Sequence, residues 1–350
     1  LFESKINIAL FFGGRSAEHE VSLLSARSIF QALNQDKYNI FPIAISKNGY
    51  FRSLAVSKKI LFGEDKRVPE VERTNVLPEG ILNLLENKID LVFPVLHGPF
   101  GEDGKIQGFL DVLNIKYVGC NLRASAVGMD KAYMKQIFAY NGIPQSKFEI
   151  LKKMDYSQQK SSNFFNEFAK NLGLPFFIKP ANMGSSIGIS RVNDLQSFAR
   201  AVNEAFEFDK KLILESNVEG RELESAVLGS EKDIKVSAAG EIISTHDFYD
   251  YQAKYEDQST ELIIPAKLSP AAKAKIRNLS VQAFRAVGAE GISRLDFFVN
   301  EEQDQILVNE INTMPGFTKF SMYPLLFEES GISYSELLDN LIELALKKDK

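Results

Sequence analysis

The sequence predicts an α/β chain that opens on a parallel sheet and turns to α+β in its later part. Three stretches carry that prediction. Residues 5–12, KINIALFF, have the length and apolar content of one buried strand; Gly13-Gly14 ends it, and residues 22–33 have helical spacing. Strand, glycine turn, helix is how a nucleotide-type α/β fold begins. Residues 89–96, IDLVFPVL, repeat the pattern and lead into a glycine-rich loop and a helix to about Asn114. Residues 291–316 read instead as a β-hairpin, two runs of apolar and β-branched residues joined by the polar turn EEQDQ.

Length and composition set the bounds. A chain of 350 residues exceeds one ordinary core and implies two or three domains. With 45% hydrophobic and 25% charged residues it belongs to the soluble globular class. A net charge of −5 argues against nucleic acid as the main partner. The single cysteine, Cys120, excludes an intrachain disulfide and fits a reducing compartment, so the cytoplasm is expected. No apolar run approaches the ~20 residues that span a bilayer, and no membrane partner is expected. Residues 6–12 are too short for the apolar part of a signal peptide, and Gly13-Gly14-Arg15 follows them instead of a cleavage site.

Between the first strand and its helix lies RSAEHEVS, where Glu18, His19 and Glu20 read as helix-capping charges or as site residues. Residues 39–45 form a second strand, and 46–78 are mixed and charged without a clear motif. After the strand at 89–96, glycines at 98, 101, 104 and 108 flank His97, Glu102 and Asp103. Loops at the carboxyl ends of strands in an open parallel sheet line the ligand crevice, which places His97 in a site. The plainer alternative is a histidine that satisfies loop backbone. A short strand at 117–119 closes the first domain near Asn121.

Residues 124–140 have helical character, with Lys131 in the middle and Asn141-Gly142-Ile143-Pro144 as the stop. A strand at 147–151, a helix at 161–172 and a strand at 175–180 follow; the last carries Lys179 and leads into NMGSSIG and another strand from about 187. Glycines and serines supply backbone and hydroxyl donors for phosphate, and the lysine a point charge. This is not a Walker A loop, because the lysine precedes the glycines and a strand follows. On its own the stretch reads equally as a phosphate lid or a flexible hairpin loop. A strand at 211–215 ends in Glu215, and Glu222 begins the next. These acids are either acceptors for an adenine amino group and a ribose hydroxyl or surface charge at strand ends. Residues 246–262, polar and rich in tyrosine, have no period and suit a lid, with Lys254 and Tyr255 within reach of a site. An amphipathic helix at 269–288 precedes the hairpin, an irregular loop at 313–320 follows it, and an amphipathic helix at 334–346 closes the chain.

The hairpin is the most informative stretch. If it is regular and centred near Gln303, Asp296 lies opposite Glu310 and Arg294 opposite Asn312, all four on one face. Opposed residues lie roughly 5 Å apart at Cβ, so two facing carboxylates need a cation between them. Arg294 supplies part of that charge. Carboxylates with an amide oxygen are also hard ligands suited to Mg²⁺. A solvated amphipathic face is the other reading, but Asp, Glu and Asn are poor strand formers in an otherwise apolar pair.

The fragments FFGGRSAEHEVSLLSA, HGPFGEDGKIQGFLD, GMDK, IKPANMGSSIGIS, YDYQAKY, SRLDFF and NEINTMPGFT, in this order, resemble the D-alanine–D-alanine ligases of the ATP-grasp superfamily, enzymes of bacterial cell-wall (peptidoglycan precursor) synthesis. The resemblance runs from Lys5 to the final helix. It implies a Rossmann-like substrate domain at 1–122, followed by a two-domain ATP-grasp module: a central domain at 123–217 with the phosphate lid and a C-terminal domain at 218–350 with the metal site and substrate loops. It implies that Lys131 and Lys179 neutralise ATP phosphates, with Ser185, Ser186 and Asn309 nearby, and that Glu215 and Glu222 hold adenine and ribose beside Ser216 and Val218. Asp296, Glu310 and Asn312 would ligate two Mg²⁺ or Mn²⁺ ions. Glu18 would hold the ammonium of the first D-alanine and, with Ser185 and Tyr255, join the substrate site to the polar lid. His97 would lie near that substrate, and Ser321 with Met322 at the second substrate's carboxylate.

The implied chemistry has two steps. The carboxylate of one D-alanine attacks the γ-phosphate and becomes an acyl phosphate; the amine of a second D-alanine then attacks that carbonyl and phosphate leaves. Arg294 and the backbone N–H of Gly316 would stabilise the tetrahedral oxygen, and Lys254 would hold the transferred phosphoryl group. Relatives that make D-alanyl-D-lactate differ in the lid, some with Phe where this chain has Tyr255, so the hydroxyl here favours an amine as second nucleophile. A homodimer through the first domain is also implied.

Overall fold

The computed structural model describes residues 5–63, 67–70, 86–243 and 261–348. The opening sheet is parallel, with strands β1 (Ile6–Gly13), β2 (Tyr38–Ile45), β3 (Leu91–Val95) and β4 (Lys116–Tyr117) in the order β2-β1-β3-β4. Both faces are covered, as a parallel sheet requires. Ile8, Leu10 and Phe12 pack with helix α1 (His19–Ala32) and with the last helix, α10 (Tyr334–Lys347), while Ala9 and Phe11 pack with α3 (Lys105–Val112) on the other side. Helix α2 (Leu54–Phe62) lies within the stretch that showed no motif. The strand order reverses between β1 and β3, so the chains leaving their carboxyl ends diverge and open a crevice. Glu18 follows β1, and His97 follows β3.

Two antiparallel sheets follow. The central one has β5 (Phe148–Lys152), β6 (Phe176–Pro180), β7 (Ser190–Val192) and β8 (Lys211–Ser216) in the order β5-β8-β6-β7. Helices α6 (Ser161–Leu172) and α7 (Leu195–Ala205) bury Phe168, Phe198 and Val202 against it. Helix α7 starts at an Asp194/Ser197 capping box, which satisfies two of its first N–H groups. The last sheet has β9 (Arg221–Gly229), β10 (Ile234–Ile243), β11 (Glu261–Ile263), β12 (Gly291–Asn300) and β13 (Gln305–Asn312) in the order β11-β10-β9-β12-β13. Helix α8 (Pro270–Ala286) covers one face of it. On the other face α9 (Met322–Glu329) and α10 join it to the first sheet in one continuous core. Among the described residues, no helix is long and apolar enough to cross a membrane.

Several sequence expectations need correction. Residues 124–140 are not one helix but α4 (Leu122–Met129) and α5 (Lys131–Tyr140). The break is Asp130, which is extended, accepts the Ala132 and Tyr133 N–H groups, and pairs with Lys211. The strand expected from about 187 begins at Ser190, because residues 185–188 form a turn. Helix α1 begins at His19, three residues earlier than its apolar spacing suggested.

Candidate active site

The hairpin places Arg294 opposite Asn312 and Asp296 opposite Glu310, the pairing expected of a regular hairpin. Yet the hairpin is not regular. From Phe297 outward the pairing runs one residue shorter, Phe297 with Val308 through Asn300 with Gln305, and Asn309 is the extra residue of a β-bulge. Continued unbroken from the turn, the ladder would set Asn309 opposite Asp296 and send Glu310 to the opposite face. The bulge therefore keeps Glu310 on the site face, and it also brings Asn309 to the same cleft.

On its other side Asp296 pairs in register with Glu224 of β9, so three carboxylates lie abreast across three strands. Such a row requires countercharge. Arg294 donates from Nε and Nη2 to the two Asp296 oxygens, at 2.7 Å each, and its Nε is 3.0 Å from Glu224. Lys131 lies 3.3 Å from Glu310 and donates to the Met183 carbonyl at 2.9 Å. Asn312 Oδ1 accepts the Met314 N–H at 3.0 Å and retains a second lone pair. Two carboxylates and an amide oxygen on one face form a hard donor set that fits Mg²⁺ or Mn²⁺.

One cleft opens above this face, between the central and last sheets. Lys131, Lys179, Ser185, Ser186, Glu215, Ser216, Val218, Glu222, Asp296, Asn309 and Glu310 line it, with Phe177, Ile187, Ile242 and Phe298 as apolar walls. Ser185 and Ser186 have φ of 50° and 58°, consecutive left-handed residues in the loop after β6. Non-glycine residues held this way cost free energy and gather at ligand clamps. Glu215 is buried against Lys135, Lys179 and Ser146. Burial alone would raise its pKa, but the two ammonium groups outweigh that and hold it below the ordinary value.

A second cleft is lined by Glu18, His97, Glu102, Arg294, Asn312 and Gly316, and it shares Lys131, Gly184, Ser185 and Glu310 with the first. Glu18 occupies the N-cap position of α1, but its side chain does not cap the helix. Instead Ser185 Oγ donates to Glu18 Oε1 at 2.6 Å, tying the loop after β6 to the segment after β1. Gly98, at φ +76°, lets Glu18 lie close, since a Cβ there would be 2.6 Å from Oε2. His19 and Glu20 belong elsewhere. His19 is bound to the Gly14 carbonyl and the Val68 N–H, and Glu20 pairs with Lys47 at 2.8 Å. His97 is buried with both ring nitrogens engaged: Nδ1 donates to the Met314 carbonyl at 3.2 Å and Nε2 accepts from Ser25 Oγ at 3.1 Å. Burial lowers its pKa, so the ring is neutral. His97 thus bonds the Met314 carbonyl of the loop and also lines the second cleft.

Three residues in or beside these clefts had no role in the sequence expectations: Glu224 lines the first, Glu102 the second, and Lys135 lies behind Glu215. Lys135 stands one helical turn after Lys131, and that spacing is the signal that marks it. Glu224 alternates with Glu222 along β9 and so shares its face. Glu102 accepts the Gly98 N–H at 2.8 Å, and burial, then the nearby Glu18 charge, push its carboxyl up to about 8. Ser321 and Met322 do not join either lining: Ser321 Oγ is 2.8 Å from Thr318 Oγ1, and the Met322 side chain is part of the core below α9. Lys254 and Tyr255 lie outside the described residues.

Residues 7–120 match the family profile described as D-ala D-ala ligase N-terminus, and residues 137–343 the one described as D-ala D-ala ligase C-terminus. The chain belongs to the D-alanine–D-alanine ligase family. A D-alanine–D-alanine ligase of Halothermothrix orenii is 45% identical over 344 residues, covering 98% of this chain and 99% of that one. One from Bacillus cytotoxicus is 42% identical over 355 residues, 99% of this chain and 97% of that one. Among solved structures, a D-Ala:D-Ser ligase (VanG) from Enterococcus faecalis has a TM-score of 0.81 at 35% identity, covering 98% of this chain and 100% of that one. The family relative from Coxiella burnetii has a TM-score of 0.80 at 32% identity, over 98% and 94% of the two chains.

Proposed function

We propose that the protein joins two D-alanines into D-alanyl-D-alanine, converting ATP to ADP and phosphate through a D-alanyl phosphate. The observation that carries the reading is the junction of the two clefts at Lys131, Gly184, Ser185 and Glu310. A nucleotide in the first cleft would present its terminal phosphate at that junction, where a carboxylate bound in the second can reach it. Lys131 and Lys179 would neutralise the phosphates, with Ser185 and Ser186 in the loop above them. Glu215 and Glu222 would take adenine and ribose.

In the second cleft the Glu18 carboxylate would bind the ammonium of the first D-alanine. The other oxygens of that substrate would face Arg294 and the Gly316 N–H, which would stabilise charge on the tetrahedral oxygen when the second amine attacks the acyl phosphate. The bond from carbonyl carbon to the new nitrogen forms, the carbon–oxygen bond to phosphate breaks, and phosphate leaves. His97, neutral and fixed at both nitrogens, would hold the loop that carries the Met314 carbonyl toward this cleft. Asp296, Glu310 and Asn312 would hold two Mg²⁺ or Mn²⁺ ions, which when bound neutralise the phosphates. Closure of the 182–188 loop, tied to Glu18 by Ser185, would exclude water from the acyl phosphate. Lys254 and Tyr255 belong to the proposal as lid residues, and Ser321 with Met322 as neighbours of the second substrate's carboxylate.

The reading also divides the chain at 122 and 217, and includes a cytoplasmic homodimer, which light scattering tests. The activity is tested by coupled ADP release with D-alanine, L-alanine, D-serine and D-lactate. D-alanine should give the fastest release, with dipeptide as product. ADP release that does not respond to D-alanine would contradict the reading. Faster depsipeptide formation from D-alanine and D-lactate at neutral pH would overturn its second substrate.

A further inference from the structure

The deepest cation beside the first cleft has no task in the reaction as proposed. Lys135 is only 1% exposed, and lysines are almost never so buried unless paired. Its Nζ lies 3.3 Å from Glu215 Oε2 and donates to Ser146 Oγ at 3.1 Å. Ser146 Oγ in turn donates to the same Glu215 oxygen at 2.9 Å. Lys179 stands 3.4 Å from the other oxygen, Oε1. Glu215 is thus gripped at both oxygens while it lines the cleft. A carboxylate has about four acceptor positions. These three partners leave capacity for a donor that enters from the cleft.

We infer that Lys135 is a positioning residue that keeps Glu215 an ionised, oriented acceptor and so sets the preference for adenine over guanine. The inference rests on the reading of Glu215 as the partner of the base. Adenine offers an amino donor where guanine offers a carbonyl oxygen. An ionised carboxylate accepts from the first and repels the second. A protonated one donates to the second and loses the distinction. Lys179 cannot secure the charge alone, because in the same reading it also serves the phosphates. Lys131, the other ammonium on this side of α5, is held by Glu310 and Met183. Among the described residues, the side-chain partners of Lys135 are Glu215 and Ser146 alone.

The test compares kcat/KM for ATP and for GTP between pH 6 and 8 in the wild type, Lys135→Met, Glu215→Gln and the double variant. Lys135→Met should lose roughly tenfold of the ATP-over-GTP preference, the scale of one charge-assisted hydrogen bond. Its KM for ATP should fall as pH rises, where the wild type is flat, and its KM for D-alanine should stay within about twofold. In the Glu215→Gln background the same substitution should change the preference no further, an outcome that general loosening of the fold would not produce. If Lys135→Met keeps the preference and the flat profile while Glu215→Gln loses the preference, the role of Lys135 is refuted and the reading of Glu215 stands. If Glu215→Gln also keeps the preference, the adenine reading itself fails. Lys135→Gln, which retains a donor for Ser146 without the charge, is read in the same way if the methionine variant is unstable.

Discussion

Replacing Glu102 with glutamine should make the protein more stable, and increasingly so as the pH rises. In the fold this carboxyl holds its proton up to about pH 8, whereas the unfolded chain releases it near 4.5. Between those values the folded state binds more protons than the unfolded state, so stability falls as pH rises through the window and levels off above it. Below 4.5 both states are protonated and the group costs nothing. At about 1.4 kcal/mol per pH unit, the loss accumulated by pH 8 is of order 3–5 kcal/mol. Glutamine carries no such proton, and its amide oxygen still accepts the Gly98 N–H. At roughly 2–4 °C per kcal/mol, the Tm of Glu102→Gln relative to wild type should rise by ~5–10 °C between pH 5 and pH 8. Circular dichroism of the substrate-free protein serves as the assay, since the chain has no tryptophan. Glu18→Gln removes the second cause of the shift and should flatten part of the wild-type slope. A Tm difference that is constant across pH, or that moves against the variant as pH rises, refutes the reasoning.

Asp296→Ala should abolish turnover yet leave a folded protein, because Arg294 keeps Glu224 as its partner; near-wild-type activity with Mg²⁺ would remove the metal assignment. Ser185→Ala deletes the 2.6 Å bond to Glu18, and steady-state kinetics should show a loss of roughly ten- to a hundredfold in kcat/KM for D-alanine. A loss under threefold would mean that the loop does not act through Glu18. Gly98→Ala places a Cβ 2.6 Å from Glu18 Oε2 at a backbone φ of +76°, so binding of D-alanine by calorimetry should weaken at least tenfold, with about 1–2 kcal/mol lost in stability. Unchanged binding would show that Glu18 can move without consequence.

Much of this site was legible in the sequence because its residues punctuate simple elements. The runs that became β1 and β3 are apolar on both faces, so the polar residues just beyond them, Glu18 and His97, stand out at the crevice. The pairing of Asp296 with Glu310 follows from the strand patterns, but by a compensation the sequence does not display: a turn one residue short and a bulge at Asn309. The break at Asp130 was hidden because the flanking residues favour helix, and only the Lys211 partner and the cap bonds show why an aspartate stands there. Nothing in the sequence assigns Lys135 or Glu102 a task, because it is the fold that buries the first and partly buries the second. The groups that set their charge come from segments 11 to 84 residues away: the partners Ser146 and Glu215 for Lys135, and the like charge of Glu18 for Glu102. Strand β10 carries Ser237, Ala238, Ala239 and Gly240 in its middle, where Gly240 lies against Met322 and Leu326, and this run interrupts the β-branched pattern of its two ends.

The central claim is that the two clefts meet so that a D-alanine carboxylate takes the γ-phosphoryl group directly. D-alanine with both carboxylate oxygens replaced by ¹⁸O, turned over with unlabelled ATP and Mg²⁺, tests it by mass spectrometry of the released phosphate. Attack by the carboxylate leaves one substrate oxygen bridging carbon and phosphorus, and departure of phosphate carries that oxygen away. One ¹⁸O is expected in each phosphate formed with dipeptide. Dipeptide formed together with phosphate that carries only solvent or ATP oxygen would contradict the claim.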